Sequence, residues 1–312
     1  MPPKILVVCG PTASGKTKLA VELALRHNGE VVSADSMQIY RGMDIGTAKP
    51  RLEEMWGVPH HMLDVADPAE DYSVARYVEE ASACVDTILA RGRLPILAGG
   101  TGLYIDSLLA GLDFAAFTGG YRETLRERAK AEGIEALHAE LRHIDPQRAE
   151  KLHLNDEKRI LRALEVWYET GETITAHDAR TQALPPRYDA LTLVLNYESR
   201  ADLWTRIDAR VDEMMASGLE GEVHALLARG VPRSATSMQA IGYKELAAAP
   251  DEGRSVAQAA EEVKLRSRQY AKRQLSWFRR NAEAKWLVWK KTPDFGAAIQ
   301  NSTAYMEESG LL

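Results

Sequence analysis

Residues 10–17 read Gly10-Pro11-Thr12-Ala13-Ser14-Gly15-Lys16-Thr17, and this octapeptide decides the fold. It fits the spacing G-x-x-x-x-G-K-[ST]. In such a loop, successive backbone N–H groups and a helix N-terminus wrap a diphosphate while the lysine neutralises it. The flanks agree: a β-branched apolar run over residues 5–9 ends at Gly10, and residues 16–27 carry a helical pattern stopped by Asn28-Gly29. A strand before and a helix after separate a P-loop from an incidental glycine-rich turn. Thr17 is the hydroxyl that would ligate Mg²⁺. Which diphosphate the loop holds stays open.

Outward from this loop, strand-like and helix-like segments alternate. Residues 30–34 form a second strand pattern, 74–91 a long helix, and 94–98 a third strand ending in Gly99-Gly100. Such alternation implies a parallel sheet with crossover helices. Around residues 114–120 the pattern changes, and residues 121–182 read almost wholly as helices, with Asp145-Pro146 as a helix start. After a Pro185-Pro186 break, the apolar run 190–196 returns to the sheet, and helices fill the remainder to about residue 286. The expectation is therefore α/β: a P-loop NTPase-like parallel sheet with flanking helices. Its core is residues 1–113 plus 190–312, interrupted by a helical insertion, 114–189.

Composition narrows the class. The 312 residues, 45% hydrophobic and 27% charged, are ordinary for a globular chain and exclude disorder and fibrous repeats. No apolar run approaches the roughly 18–20 residues that span a bilayer, and no signal peptide precedes the first strand, so a cytoplasmic location is expected. Cys9 and Cys84, the only cysteines, provide neither a disulfide framework nor a four-ligand zinc site. The net charge of −6 conceals an asymmetry: residues 254–291 hold eleven Lys or Arg against three Glu, a local +8. There Lys264, Arg268 and Lys272 share one helix face. Tyr270, Trp277 and Phe278 interleave with Lys272, Arg273, Gln274, Arg279 and Arg280. A solvated face is one reading; a surface for a phosphate backbone beside an unstacked base is the other.

Two further clusters fall at the carboxyl edge of the expected sheet, where ligands of open α/β folds sit. In Ser33-Ala34-Asp35-Ser36-Met37-Gln38, Asp35 follows a strand directly. It can hold Mg²⁺ through water, accept a proton from a nucleophile, or merely close an Asx turn. Gly99-Gly100-Thr101-Gly102 admits close backbone approach and offers the Thr101 hydroxyl. Pro59-His60-His61 looks metal-like, but adjacent strand residues point to opposite faces, so packing or local hydrogen bonding is expected.

Taken together, GPTASGKT (10–17), DSMQIYRGMDIGTAKP (35–50), PHHMLD (59–64), GGTGLY (99–104), NDEKRILRALE (155–165), MQAIGYKEL (238–246) and KRQLSWFR (272–279) resemble the bacterial tRNA dimethylallyltransferases over nearly the whole chain. The resemblance implies transfer of a dimethylallyl group from dimethylallyl diphosphate to N6 of adenosine 37, beside the anticodon of tRNA. It implies a P-loop gripping an isoprenoid diphosphate, with Mg²⁺ as cofactor, Asp35 as base, Thr101 positioning the purine and Arg210 contacting the diphosphate. A salt-bridged helix residue is the alternative for Arg210.

By the same resemblance Asp35, Ser36, Met37, Gln38, Thr101, Arg122, Lys158, Arg159, Ile160, Leu161, Arg162, Gln239, Gly242, Tyr243, Lys244, Lys272, Arg273, Gln274, Trp277 and Arg279 contact the anticodon stem-loop of tRNA. No membrane contact and a monomer are expected. Gln239 stands where some family members have Arg, and the C-terminal zinc finger of eukaryotic relatives cannot be built from two cysteines. A small-metabolite P-loop kinase would need an arginine-rich lid, for which the signal is absent. An NTP-driven nucleic-acid-binding protein would need a strand ending in paired acids where residues 96–100 end in glycines. The adenylate isopentenyltransferases are disfavoured by the basic C-terminal helix.

Overall fold

The computed structural model describes residues 2–112 and 120–312. The expected change of pattern at residues 114–120, and with it the 113/114 boundary, lies almost wholly outside them. Among the described residues the six strands are β1 (Lys4–Cys9), β2 (Gly29–Ala34), β3 (His60–His61), β4 (Leu94–Gly99), β5 (Asp189–Tyr197) and β6 (Lys285–Trp289). They form one sheet in the order β3-β2-β4-β1-β5-β6, every pair parallel. This is the α/β parallel sheet with flanking helices read from the sequence.

The apolar run of β1 follows from its central place. Ile5, Leu6, Val7, Val8 and Cys9 are all fully buried, because helices cover both faces of a parallel sheet. Below one face, Leu19 and Leu23 of the helix Lys16–Arg26 pack with Leu6, Val8, Ile96 and Leu195. Register brings the functional loops together: Cys9 pairs with Gly99, and Ala34 also pairs with Gly99, so β1, β2 and β4 end level. The P-loop, Asp35 and Thr101 leave the sheet at that one edge.

The C-terminal part of the chain differs from the sequence reading. The expectation that helices run to about residue 286 is corrected. The helix Val256–Phe278 stops short, and Lys285–Trp289 joins the sheet beside β5, with Val194 opposite Trp286. At this edge Leu287 and Trp289 are buried while Val288 is exposed, and five residues of mixed polarity cannot announce a strand against a helical background. β3 is two residues long, and the helix Phe295–Glu308 follows β6.

The chain divides into two compact units, Met1–Leu109 with Arg187–Leu312, and Ala110–Pro186. The second holds the helices Arg122–Glu132, Ile134–Ile144, Pro146–Lys151, Glu157–Thr170 and Ile174–Gln182. Its core gathers Leu125, Leu137, Leu141, Ile160 and Leu164. Asp145 caps the helix that Pro146 begins, accepting from Arg148 N–H at 3.1 Å, and a second bond from the Thr175 hydroxyl at 2.7 Å ties two helices together. Among the described residues no helix is long and apolar enough to cross a membrane.

Candidate active site

The P-loop is shaped by one backbone requirement. Gly15 has φ of 88°, and a Cβ there would also lie 2.9 Å from Phe295 Cζ, so only glycine can open the helix Lys16–Arg26 at this angle. Trp289 Nε1 donates to Ser14 O at 2.8 Å, pinning the loop to β6. Lys16 Nζ donates to Pro11 O at 2.7 Å, which lays the ammonium over the loop. Burial pushes the Lys16 amine down to about 8; the Arg210 charge adds to this, and Asp35 opposes it. Ser14 Oγ is buried with no hydrogen-bond partner among the described residues.

At the end of β2, Asp35 Oδ1 accepts from Met37 N–H at 2.9 Å and from Gln38 N–H at 3.4 Å. The Asx turn is therefore real, and it engages one carboxylate oxygen. Thr101 Oγ1 accepts from Ser36 N–H at 3.1 Å, tying the β4 loop to the β2 loop. Tyr270 joins them from the helix Val256–Phe278 through hydrogen bonds with Thr101 and Gln274. Burial first, then the Asp35 charge, pushes its phenol up to about 12, while the Thr101 bond works the other way. Tyr270, one of the aromatics interleaved with the basic residues in the sequence, lines the cavity together with Asp35.

Opposite the P-loop, Arg210 comes from the helix Arg200–Ala216. Burial depresses its guanidinium, with the Asp35 and Glu213 charges opposing the shift. It forms no ion pair among the described residues, and its Nε is buried with no hydrogen-bond partner. The salt-bridged alternative is not what the fold contains. Two desolvated cations, Lys16 and Arg210, thus share a cavity of about 940 Å³ with Asp35, Gln38, Thr17 and loop 44–51. Such a constellation attracts an anion and sets a carboxylate near it. His60 and His61 take separate partners, Val58 O at 2.9 Å and Glu30 Oε2 at 2.7 Å.

The residues expected to meet RNA divide sharply by exposure. Lys158, Arg159, Lys244, Lys272, Arg273 and Arg279 stand in solvent, as does Gln239, whose amide donates to Arg233 O at 2.9 Å. Ser36 and Met37 are half-buried at the cavity. Arg122 and Arg162 both bind the buried carboxylate of Glu165, at 3.1 and 2.7 Å. Trp277 Nε1 donates to Asp106 at 2.8 Å, and the Arg280 guanidinium lies 3.7 Å from the Trp277 ring centroid.

Four of the residues expected to meet RNA have side chains that are used inside the protein. Ile160 and Leu161 belong to the core of the helical unit, and Tyr243 is fully buried against Glu222. Gln274 is buried between two loops: its Oε1 accepts from Thr12 N–H at 3.0 Å, and its Nε2 donates to Gly100 O at 2.9 Å. Gly242, with φ of 97°, is a backbone turn before the helix Tyr243–Ala248.

The basic face also changes meaning. Lys264 pairs with Asp212 at 2.7 Å and Arg268 with Asp208 at 2.6 Å, so these two rungs bind the helix Arg200–Ala216. Lys272, the third, remains exposed. Glu222, which grips loop 44–46 from the helix Leu219–Ala228, carries no signal in the sequence. Its partners lie more than 170 residues away along the chain, and no local pattern announces such a contact.

Comparison with known proteins gives matches over nearly the whole chain. The family described as IPP transferase matches residues 38–281, and the family described as isopentenyl transferase matches residues 3–70. The chain is similar to the tRNA dimethylallyltransferase of Acetivibrio thermocellus, 44% identical over 309 residues, 98% of each chain. It is also similar to that of Caldanaerobacter subterraneus subsp. tengcongensis, 46% identical over 286 residues, 91% of each. Among solved structures, the full-length tRNA isopentenylpyrophosphate transferase of Bacillus halodurans superposes with a TM-score of 0.73 at 40% identity, covering 99% of this chain and 96% of that one. A eukaryotic dimethylallyltransferase described as acting on tRNA superposes with a TM-score of 0.84 at 29% identity, covering 98% and 80%. With matches of this length and identity, the chain belongs to the IPP transferase family, that of the tRNA dimethylallyltransferases.

Proposed function

We propose that the protein transfers the dimethylallyl group of dimethylallyl diphosphate to N6 of adenosine 37 in tRNA, releasing diphosphate, and that it works as a cytoplasmic monomer. The observation that carries this reading is the joint presence of Lys16, Asp35 and Arg210, which has no ion-pair partner among the described residues, in one cavity. An allylic diphosphate needs cations at its leaving group and a base at its nucleophile, and this site has both.

In the reaction N6 bonds to C1 of the isoprenoid, the C1–O bond breaks, and its electron pair leaves with diphosphate. Lys16, the loop amides and Arg210 neutralise the departing charge from fixed positions, which is where a preorganised site gains most. The Asp35 oxygen not held in its turn takes the N6 proton. Thr101, fixed by Ser36 N–H, orients the purine, and Tyr270 walls the same corner. An adenine stacked in a loop cannot reach this depth, so the base is extruded to react.

Thr17 fits Mg²⁺: it lines the cavity and carries a hydroxyl, and Mg²⁺ is characteristically held by one or two protein oxygens together with substrate phosphates. The ion would supply further neutralisation of the leaving group there. No cluster of three metal-binding side chains among the described residues competes for it.

The exposed cations Lys158, Arg159, Lys244, Lys272 and Arg279, with the Arg122 and Arg162 guanidinia, are proposed to carry the anticodon stem-loop through its phosphates. The test is incubation with dimethylallyl diphosphate and unmodified tRNA, followed by nucleoside analysis. N6-dimethylallyladenosine at position 37 is expected. Product absent from tRNA, with ATP raising the melting temperature more than dimethylallyl diphosphate does, would return the protein to the kinase reading.

A further inference from the structure

Loop 44–51 forms one wall of the cavity, and a carboxylate from a distant helix holds its backbone. Glu222 Oε2 accepts from Asp44 N–H at 2.9 Å and from Ile45 N–H at 2.8 Å, and Oε1 accepts from Gly46 N–H at 3.1 Å. The Tyr243 hydroxyl donates to the same Oε1. Burial and the Glu222 charge both push the Tyr243 phenol up, which keeps it a donor. Gly46 admits this packing: a Cβ there would lie 2.5 Å from the Tyr243 ring.

The loop then passes the constraint onward. The carbonyls of Thr47 and Ala48 each accept from Gln38 Nε2 at 3.2 Å, and the Ser33 hydroxyl donates to Gln38 Oε1 at 3.1 Å. Both amide hydrogens of Gln38 are thereby used, and its backbone N–H points at Asp35 Oδ1. A continuous chain of hydrogen bonds runs from Glu222 through the loop to the residue beside the proposed base. The residues it joins all lie outside the P-loop.

We infer that Glu222 is a positioning residue for the acceptor half of the active site: it fixes loop 44–48, which fixes Gln38 against Asp35 and so sets the approach of the adenine. This rests on the dimethylallyl-transfer reading above. A carboxylate is required because three N–H groups converge on it. A carboxamide would turn an N–H toward at least one of them, leaving donor against donor.

The experiment is a double-mutant cycle of Glu222→Gln with Gln38→Ala, read as kcat/KM for tRNA and, separately, as Kd for dimethylallyl diphosphate. A misplacement on the order of an ångström costs up to about 100-fold, so Glu222→Gln should lower kcat/KM for tRNA by roughly 10- to 100-fold. Affinity for dimethylallyl diphosphate should stay as in the wild type. In the Gln38→Ala background Glu222→Gln should add little, since residues acting through one another are not additive. Glu222→Asp should recover part of the loss. Tyr243→Phe, which removes one donor and keeps the carboxylate, supplies the same cycle at smaller amplitude should Glu222→Gln not fold.

Additive losses, or an equal loss of diphosphate affinity, would overturn the inference by reducing Glu222 to a general stabiliser. A wild-type protein that modifies tRNA while Glu222→Gln is fully active overturns it too, leaving the transfer reading intact. A wild-type protein inactive on tRNA overturns both.

Discussion

The backbone N–H of Thr12, inside the P-loop, donates at 3.0 Å to the side-chain oxygen of Gln274, a residue 262 positions further along the chain. The other end of that amide donates to Gly100 O at 2.9 Å, so one buried side chain spaces the diphosphate loop from the loop bearing Thr101. Gln274→Ala leaves a buried donor and a buried acceptor unpaired, at about 1–3 kcal/mol. Dimethylallyl diphosphate affinity should fall by roughly 10- to 100-fold. Gly100→Ala should have the same effect, because its Cβ would sit 2.2 Å from Gln274 Nε2. Titration calorimetry of both variants checks this; unchanged affinity in both would mean that the spacing is irrelevant to the anion.

Arg210 has no carboxylate partner to release among the described residues, so its whole charge is available to a bound anion. Arg210→Ala should lower kcat by about 10²–10³-fold, the usual effect of losing one preorganised group at developing negative charge. Thr17→Ala should raise the Mg²⁺ concentration needed for half-maximal rate. Full wild-type activity in EDTA would remove the metal from the account.

How far the sequence reveals this site depends on whether a contact is local. The octapeptide 10–17 is legible because one short stretch carries the glycines, the lysine and the hydroxyl, and its flanking periodicities identify a parallel sheet. Motif membership is less informative about direction. Ile160 and Leu161 lie in the same helix as the exposed Lys158 and Arg159, yet they face the core, as an apolar pair on an amphipathic helix does. Spacing puts Lys264, Arg268 and Lys272 on one face correctly, but the identity of the facing element, the helix bearing Asp208 and Asp212, is tertiary information. Gln274 and Glu222 are opaque for the same reason.

The cations from Lys264 to Arg279 make opposite forecasts according to whether they have an acidic partner among the described residues. Lys272→Glu with Arg279→Glu should weaken tRNA binding and flatten the dependence of log K on log salt, by about 0.7–0.9 for each phosphate no longer neutralised. Lys264→Gln and Arg268→Gln should lower the melting temperature and leave that slope alone, since their charges already answer Asp212 and Asp208. Filter binding across a salt series separates the two sets. Parallel lines for Lys272→Glu with Arg279→Glu would make this face merely solvated.

Glu30 lies at the start of β2, buried, with His61, Arg91 and Arg93 around it at 2.7–2.9 Å. Burial pulls its carboxyl up, but hydrogen bonds from His61 and Arg93 and the Arg91 charge outweigh that and hold it below the usual range. A carboxyl more acidic in the folded state adds stability above its unfolded pKa of about 4.3 and loses it as the pH falls through the lower folded value. Glu30→Gln should therefore destabilise the protein by about 1–3 kcal/mol at neutral pH and converge on the wild type in acid. Urea unfolding at pH 7 and near pH 3 is the check; a constant difference would detach the carboxylate's charge from the effect.

The central claim is a division of labour within one cavity, with Lys16 and Arg210 on the diphosphate and Asp35 on the N6 proton. Single-turnover transfer to unmodified tRNA by Asp35→Ala, with Kd measured for both substrates, tests it most directly. The account predicts a rate lower by about 10²–10⁴-fold, the range for loss of a general base, with both affinities close to wild type. A variant that binds tRNA normally and transfers the dimethylallyl group at the wild-type rate would contradict it, leaving Asp35 with no role beyond its turn to Met37 and Gln38.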